Sequence, residues 1–283
     1  MTKHNVYCAD ARDLSFIPDA SVHLVLTSPP YWNLKEYERD ENQLGLIEDY
    51  DEFIGELERV FRECYRVLVP GGRVVCVAGD VCLSRRKYGR HAVMPLHADI
   101  VSLCRRVGFD NLTPILWHKI SNASFEANTR SSILGKPYEP NAVIKNDMEY
   151  ILMQRKPGGY RKPTDEQRAK SMIDKDDFRA WFTQLWRMPG ASTRCGHPAP
   201  FPYELAERLV KMFSFCGDTV LDPFCGSGTA MEAALKNGRN SIGVDVERSY
   251  CELALRRLKR ADPDAREEIV MMGAQAPTDG SDG

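Results

Sequence analysis

From residue 201 to residue 260 the chain alternates between amphipathic stretches and short apolar runs with few residues to spare. PYELAERLVKMFSF reads as a helix, with Pro202 near its start and Gly217 past its end. TVLDPF then reads as a strand, TAMEAALKNG as a helix closed by Asn237-Gly238, NSIGVDVE as a strand, and SYCELALRRLKR as a helix. Apolar runs separated by helices imply a parallel sheet covered on both faces.

The first third of the chain follows the same rule. NVYCAD is a short strand candidate ending in Asp10, and SVHLVLTSPPYW is a second strand running into a proline-rich loop. Residues 50–68 place Phe53, Leu57, Val60, Phe61 and Cys64 at three- and four-residue spacing, an amphipathic helix stopped by Pro70-Gly71-Gly72. RVVCVA is a buried strand, residues 95–107 a helix ending at Gly108, and TPILWHK a strand. The periodicity then fades over residues 120–146, rich in Ser and Asn, until MEYILMQRK resumes a strand pattern. That segment reads as an insertion between two core strands. Residues 157–180 are charged and irregular, and the tail after about Asp262 has the composition of a disordered segment.

With 283 residues, 43% of them hydrophobic, the chain can bury a large core. No window approaches the roughly 18 apolar residues of a membrane span, and the N-terminal stretch lacks the apolar run of a secretion signal, which predicts a cytoplasmic protein without membrane contact. Nine cysteines are dispersed without a C-x-x-C pair and six histidines lack ligand spacing, so reduced core thiols and no protein-bound metal are expected. The formal net charge is only −2, but residues 85–162 carry 14 basic and 6 acidic side chains. Their densest cluster, SRRKYGRH, holds Arg85, Arg86, Lys87 and Arg90 around Tyr88. It is either an ordinary solvated face or a surface that tracks phosphates.

Two motifs carry chemistry. VLDPFCGSGTA is a strand, an acid and a Gly-x-Gly turn opening a helix, where Gly226 and Gly228 leave room for close backbone approach at a strand's carboxyl end. The third glycine of a dinucleotide fingerprint and the Lys-Ser/Thr of a phosphate loop are both missing. Asp245 ends the next strand seventeen positions after Gly228, suited to accept hydrogen bonds from both ribose hydroxyls; alternatively it caps the following helix. The second motif, TSPPYW at residues 27–32, sets two φ-locked prolines between a hydroxyl and two aromatic rings, either as a plain turn or as a rigid clamp for something flat.

Taken together, DPFCGSGT, TSPPYW, HPAPFPYELAERL and the strands ILWHK and MEYILMQRK resemble the amino-methylating DNA methyltransferases of the β group, over about residues 4–260. The order is catalytic motif, recognition insertion, cofactor motif. The resemblance implies an α/β Rossmann-like fold that uses S-adenosylmethionine, with a mixed, mostly parallel seven-stranded sheet, helices on both faces and a circularly permuted motif order. It implies a catalytic half over 1–119, a target-recognition insertion over 120–146, the remainder with the cofactor half over 147–262, and a tail over 263–283. The cofactor pocket would be lined by Asp222, Phe224, Gly226, Gly228 and Asp245, with Asp10 at the adenine amino group and His197 in the segment closing one side.

An exocyclic amino nitrogen is a poor nucleophile because its lone pair is delocalised into the ring. Acceptors that engage its hydrogens bias it toward a tetrahedral geometry. Ser28 Oγ and the Pro29 carbonyl are such acceptors, Pro30 stiffens the loop, and Tyr31 offers a stacking ring. The base would be flipped out of duplex DNA, and the methyl group transferred by direct displacement, without a covalent cysteine intermediate because no cysteine here follows a proline. In the family a serine opening S-P-P-Y goes mostly with cytosine-N4, and Asp or Asn mostly with adenine-N6. Asn122, Asn128, Arg130 and Lys136 in the insertion offer donors to DNA. The resemblance admits a cognate restriction endonuclease as partner and a homodimer as assembly. Two readings compete with it: an RNA or protein-glutamine methylase, and a catalytically silent DNA-binding module that keeps the fold.

Overall fold

The computed structural model describes residues 2–32, 43–83, 85–119, 140, 144, 146–190, 202–264 and 269–273. The first half runs β1 (His4–Cys8), β2 (Val22–Thr27), α1 (Tyr50–Val67), β3 (Leu68–Ala78), β4 (Val81–Leu83), α2 (Arg85–Tyr88), β5 (Ala92–Met94), α3 (Leu96–Val107) and β6 (Asp110–Lys119). The second half runs β7 (Met148–Arg155), α4 (Asp165–Lys170), α5 (Lys175–Trp181), β8 (Leu185–Met188), α6 (Tyr203–Phe213), β9 (Thr219–Asp222), α7 (Thr229–Lys236), β10 (Asn240–Asp245), α8 (Arg248–Ala261) and β11 (Ile269–Gly273).

Nine strands form one sheet in the order β11-β1-β10-β9-β2-β3-β7-β6-β8, while β4 and β5 make a separate ribbon. Only β7 runs against its neighbours; every other pairing in the large sheet is parallel. The apolar runs of β2, β3 and β9 are continuous because these central strands bury both faces. Val25, Val74, Cys76 and Ala78 pack toward α1 and α3, whereas Leu24, Leu26, Val75 and Val77 pack toward α6 and α7. The helices carry their own stop signals. Asp49 caps α1 by accepting from Glu52 N, and Gly108 ends α3 in the left-handed region at φ 115.

Four expectations need correction. The sheet has nine strands rather than seven, because β8 and β11 extend its two edges. β8 is four residues long and buries only Trp186 and Met188, too short for a periodicity signal. β11 lies inside the expected disordered tail; IVMMG is ordered by parallel pairing with β1, a contact distant in sequence, and residues 274–283 lie outside the described residues. The charged stretch 157–180 contains α4, held by a Thr164–Gln167 capping box, and most of α5. The strand expected from Arg73 starts five residues earlier, so Pro70-Gly71-Gly72 lie inside β3. The chain passes from α1 into β3 at Leu68, and a register shift against β2 absorbs the irregular residues.

The eight described cysteines are free thiols. Cys64, Cys76, Cys104, Cys225 and Cys251 are buried, Cys8 and Cys216 half-buried, and Cys82 exposed, so the core-thiol expectation fails at Cys82.

Candidate active site

The chain leaves β2 toward β3 on one side and β9 toward β10 on the other, so the chain order reverses between β9 and β2. Open α/β sheets bind ligands outside the strands' carboxyl ends at such a reversal. A solvent-open cleft lies there, with about 630 Å³ of empty space. Its walls join the two motifs that lie almost 200 residues apart in sequence: Ser28, Pro29 and Pro30 after β2, and Pro223 and Phe224 after β9. Asp10, Asp245 and Tyr250 also line it.

One buried hydrogen bond ties the two loops. Thr27 Oγ1 donates to Asp222 Oδ1 at 2.7 Å, and Phe224 N donates to the same oxygen at 3.1 Å. Asp222 is thus a staple beneath the cleft floor and is absent from its wall. Burial pushes its carboxyl up to about 7, while the Thr27 and Phe224 donors pull the other way.

Asp245 faces the cleft with both oxygens already oriented: Oδ2 accepts from Gly226 N at 2.9 Å and Oδ1 from Glu247 N at 3.0 Å. Each carboxylate oxygen keeps a further acceptor site. Burial raises its carboxyl to about 6. The helix-cap alternative for Asp245 fails, because Glu247 caps α8 by accepting from Ser249 N. An acceptor pair beside the rings of Phe224 and Tyr250 suits a nucleoside-bearing cofactor without phosphates.

The glycine turn divides its labour differently from expectation. Gly226 (φ 46) and Gly228 (φ 76) both occupy the left-handed region, yet neither lines the cleft. A Cβ on Gly228 would sit 2.9 Å from Ala254 Cβ of α8, so this glycine serves helix packing. Arg257 braces the same turn from outside: Nη1 donates to Ser227 O at 3.0 Å, Ser227 Oγ at 2.8 Å and Thr229 Oγ1 at 2.7 Å. Arg257 carries no motif signature, and nothing in TSPPYW marks Thr27 as a partner of Asp222; only the fold brings them together. Asp10 lines the cleft while paired with Arg12, whose Nη2 lies 2.6 Å from Asp10 Oδ2.

On the catalytic side, Ser28 Oγ donates to Tyr31 Oη at 3.5 Å, a long contact. Tyr31 is outside the cleft wall; its ring packs on the core beside α1 and α3, and burial, followed by the nearby Glu149 carboxylate, raises its hydroxyl well above the ordinary value. Glu149 at the start of β7 is ion-paired with Lys119 at the end of β6, so Tyr31 lies beside a charged pair that no sequence motif marks. Trp32 closes the loop in the left-handed region at φ 46, with its ring edge-on to Tyr50 at 5.3 Å.

Arg85, Arg86 and Arg90 are exposed on the excursion that leaves the carboxyl end of β3. β2 and β3 are parallel, so that excursion rises from the cleft end of the sheet. The side chain of Lys87 lies outside the described residues, as do His197, Asn122, Asn128, Arg130 and Lys136. The chain nevertheless leaves β6 at Lys119 and re-enters at Met148 on that same end, since β6 runs with β3 and β7 against it.

The chain is 36% identical to the type II methyltransferase M.MjaI of Methanocaldococcus jannaschii, over 96% of this chain and 98% of that protein. Among solved structures, the DNA modification methylase TTHA0409 of Thermus thermophilus, complexed with S-adenosyl-L-methionine, superposes with a TM-score of 0.80 at 51% identity. That match covers 96% of this chain and 99% of the other. The cytosine-N4-specific PvuII DNA methyltransferase shares the fold, with a TM-score of 0.65 at 20% identity, covering 91% of this chain and 86% of the other. The DNA methylase family model for N6 and N4 methylases matches residues 22–256. With the permuted motif order, the β2–β9 cleft and these matches in agreement, the chain belongs to the N6/N4 DNA methylase family.

Proposed function

We propose that this DNA methylase transfers a methyl group to the N4 amino group of cytosine in duplex DNA. The observation that carries the reading is the cleft in which Ser28, Pro29 and Pro30 face Phe224 and Asp245. The cofactor is S-adenosylmethionine, which supplies an electrophilic methyl group when bound.

Asp245 accepts hydrogen bonds from the ribose hydroxyls, with its carboxylate oriented by Gly226 and Glu247, and Asp10 takes the adenine amino group. Ser28 Oγ and the Pro29 carbonyl accept the hydrogens of the target amino group and draw its lone pair out of conjugation. The prolines fix the loop, so that alignment of the nitrogen with the methyl group costs little reorganisation. Asp222 and Thr27 hold the two loops in register. Arg85, Arg86 and Arg90 contact phosphates, and residues 120–146 read the sequence around a flipped base. The protein works in the cytoplasm.

The choice of cytosine rests on the serine that opens S-P-P-Y; aspartate or asparagine there would favour adenine-N6. Nucleoside mass spectrometry of DNA from cells expressing the protein decides the matter. N4-methylcytosine is expected. N6-methyladenine alone would overturn the base assignment, and neither product would overturn the assignment of activity.

A further inference from the structure

A second groove lies at the end of the sheet opposite the cofactor cleft. It is open to solvent and is built from the starts of β2, β3 and β9, the end of α6, and the segment from Tyr160 through α4 to α5. The six residues of β2 run between the two, which places the groove and the cofactor cleft roughly 20 Å apart.

Its walls carry four cations, Arg73, Arg161, Arg168 and Lys211, against one acid, Asp218. Asp218 is fully buried and already ion-paired with Arg161. No ion pair or side-chain hydrogen bond involves Arg73, Arg168 or Lys211 among the described residues; Arg73 Cζ lies 5.2 Å from the Phe213 ring centroid, and Lys211 Nζ lies 5.4 Å from that of Trp181. Arg73 is partly buried, and burial followed by the nearby Arg155 pulls its pKa down. Arg155 spends its own charge on Asp110 at 3.0 Å. A desolvated guanidinium with no carboxylate partner is destabilising unless an anion completes it.

The groove also presents aromatic rings to solvent. Tyr160 is 83% exposed and Phe178 52% exposed, although both lie against the groove's cationic wall. Guanidinium groups without a carboxylate partner among the described residues, beside accessible rings, are the chemistry that holds a phosphate and a flat base together.

We propose that this groove is a second ligand site that binds a nucleotide, with Arg73 and Arg168 on the phosphate and Tyr160 or Phe178 against the base. The nucleotide is either free or one unit of a single strand, since both offer the same phosphate and ring.

The full-length protein, saturated with S-adenosylhomocysteine so that the cofactor cleft is filled, would be titrated with AMP, adenosine, inorganic phosphate and a labelled oligothymidylate. AMP or the oligothymidylate should bind, adenosine and phosphate at least tenfold more weakly. Arg73→Gln should weaken that binding at least tenfold while leaving methyl transfer and S-adenosylmethionine affinity within twofold. Arg168→Glu, at an exposed position, should give the same loss if Arg73→Gln fails to fold. Stronger binding of the oligothymidylate than of AMP, lost in the same variants, assigns a strand; the reverse assigns a free nucleotide. Absence of binding, binding unchanged in the folded variants, or phosphate alone binding as well as AMP would each overturn the proposal.

Discussion

In the proposed reaction Ser28 and Asp245 have separate tasks, Ser28 at the target nitrogen and Asp245 at the cofactor. Ser28→Ala removes one acceptor from the cleft wall and leaves the cofactor side intact. Methyl transfer should fall by about 100-fold or more, in line with the loss of a positioned transition-state partner, with S-adenosylmethionine affinity nearly unchanged; wild-type turnover would remove Ser28 from the mechanism. Asp245→Ala should do the opposite, weakening cofactor binding by at least about tenfold in calorimetry, because a charge-assisted hydrogen bond contributes roughly 1.5–3 kcal/mol. Burial sets the Asp245 carboxyl at about 6. Only the ionised form accepts from both ribose hydroxyls, so affinity should decline as pH falls through about 6, and Asp245→Asn should flatten that dependence. Both residues were legible in the sequence, since each stands at a strand end within a motif. Asp222 was legible as part of the motif but not in its role, because nothing in DPF indicates that Thr27 stands 2.7 Å away.

Among the elements, the turn between β9 and α7 shows how packing outweighs the obvious reading. The Gly-x-Gly pattern suggests close approach to a ligand, yet the contact that requires Gly228 is with α8 at Ala254. Gly228→Ala should therefore destabilise the protein by about 1–3 kcal/mol, visible as a lowered melting temperature both with and without cofactor. A loss seen only as weaker cofactor binding would return the glycine to the ligand. The helices of the first half and of the last third were readable because each combines a 3.6-residue stripe with a cap or a glycine stop. The short elements were not: α4 and α5 bury little, and β8 and β11 exist through pairing with strands far away in sequence.

For the whole molecule, two buried acids near the cleft couple stability to pH. The ordinary aspartate value is 3.8, and Asp222 stands at about 7 in the folded protein. Between those values the folded state holds a proton that the unfolded chain has released, so this contribution falls as pH rises from about 4 through 7. The stability of wild type relative to Asp222→Asn should decline over that window in paired thermal melts; a rise would contradict the buried-carboxyl account. The basic excursion after β3 acts at the same scale. Arg85→Glu with Arg86→Glu should weaken DNA binding at every sequence alike and flatten its salt dependence, and a sequence-selective loss would move these residues to base reading. The sequence by itself determined the layered α/β architecture, the permuted motif order and the strand-end residue types that line the cleft, because strand and helix periodicity and strand-end motifs are local properties. Only the tertiary structure decided that the two motifs meet across β2 and β9 through Thr27 and Asp222, that Arg257 braces the glycine turn, and that a basic groove opens at the opposite end. Those features depend on strand order, and strand order is fixed by burial and pairing between segments far apart in the chain.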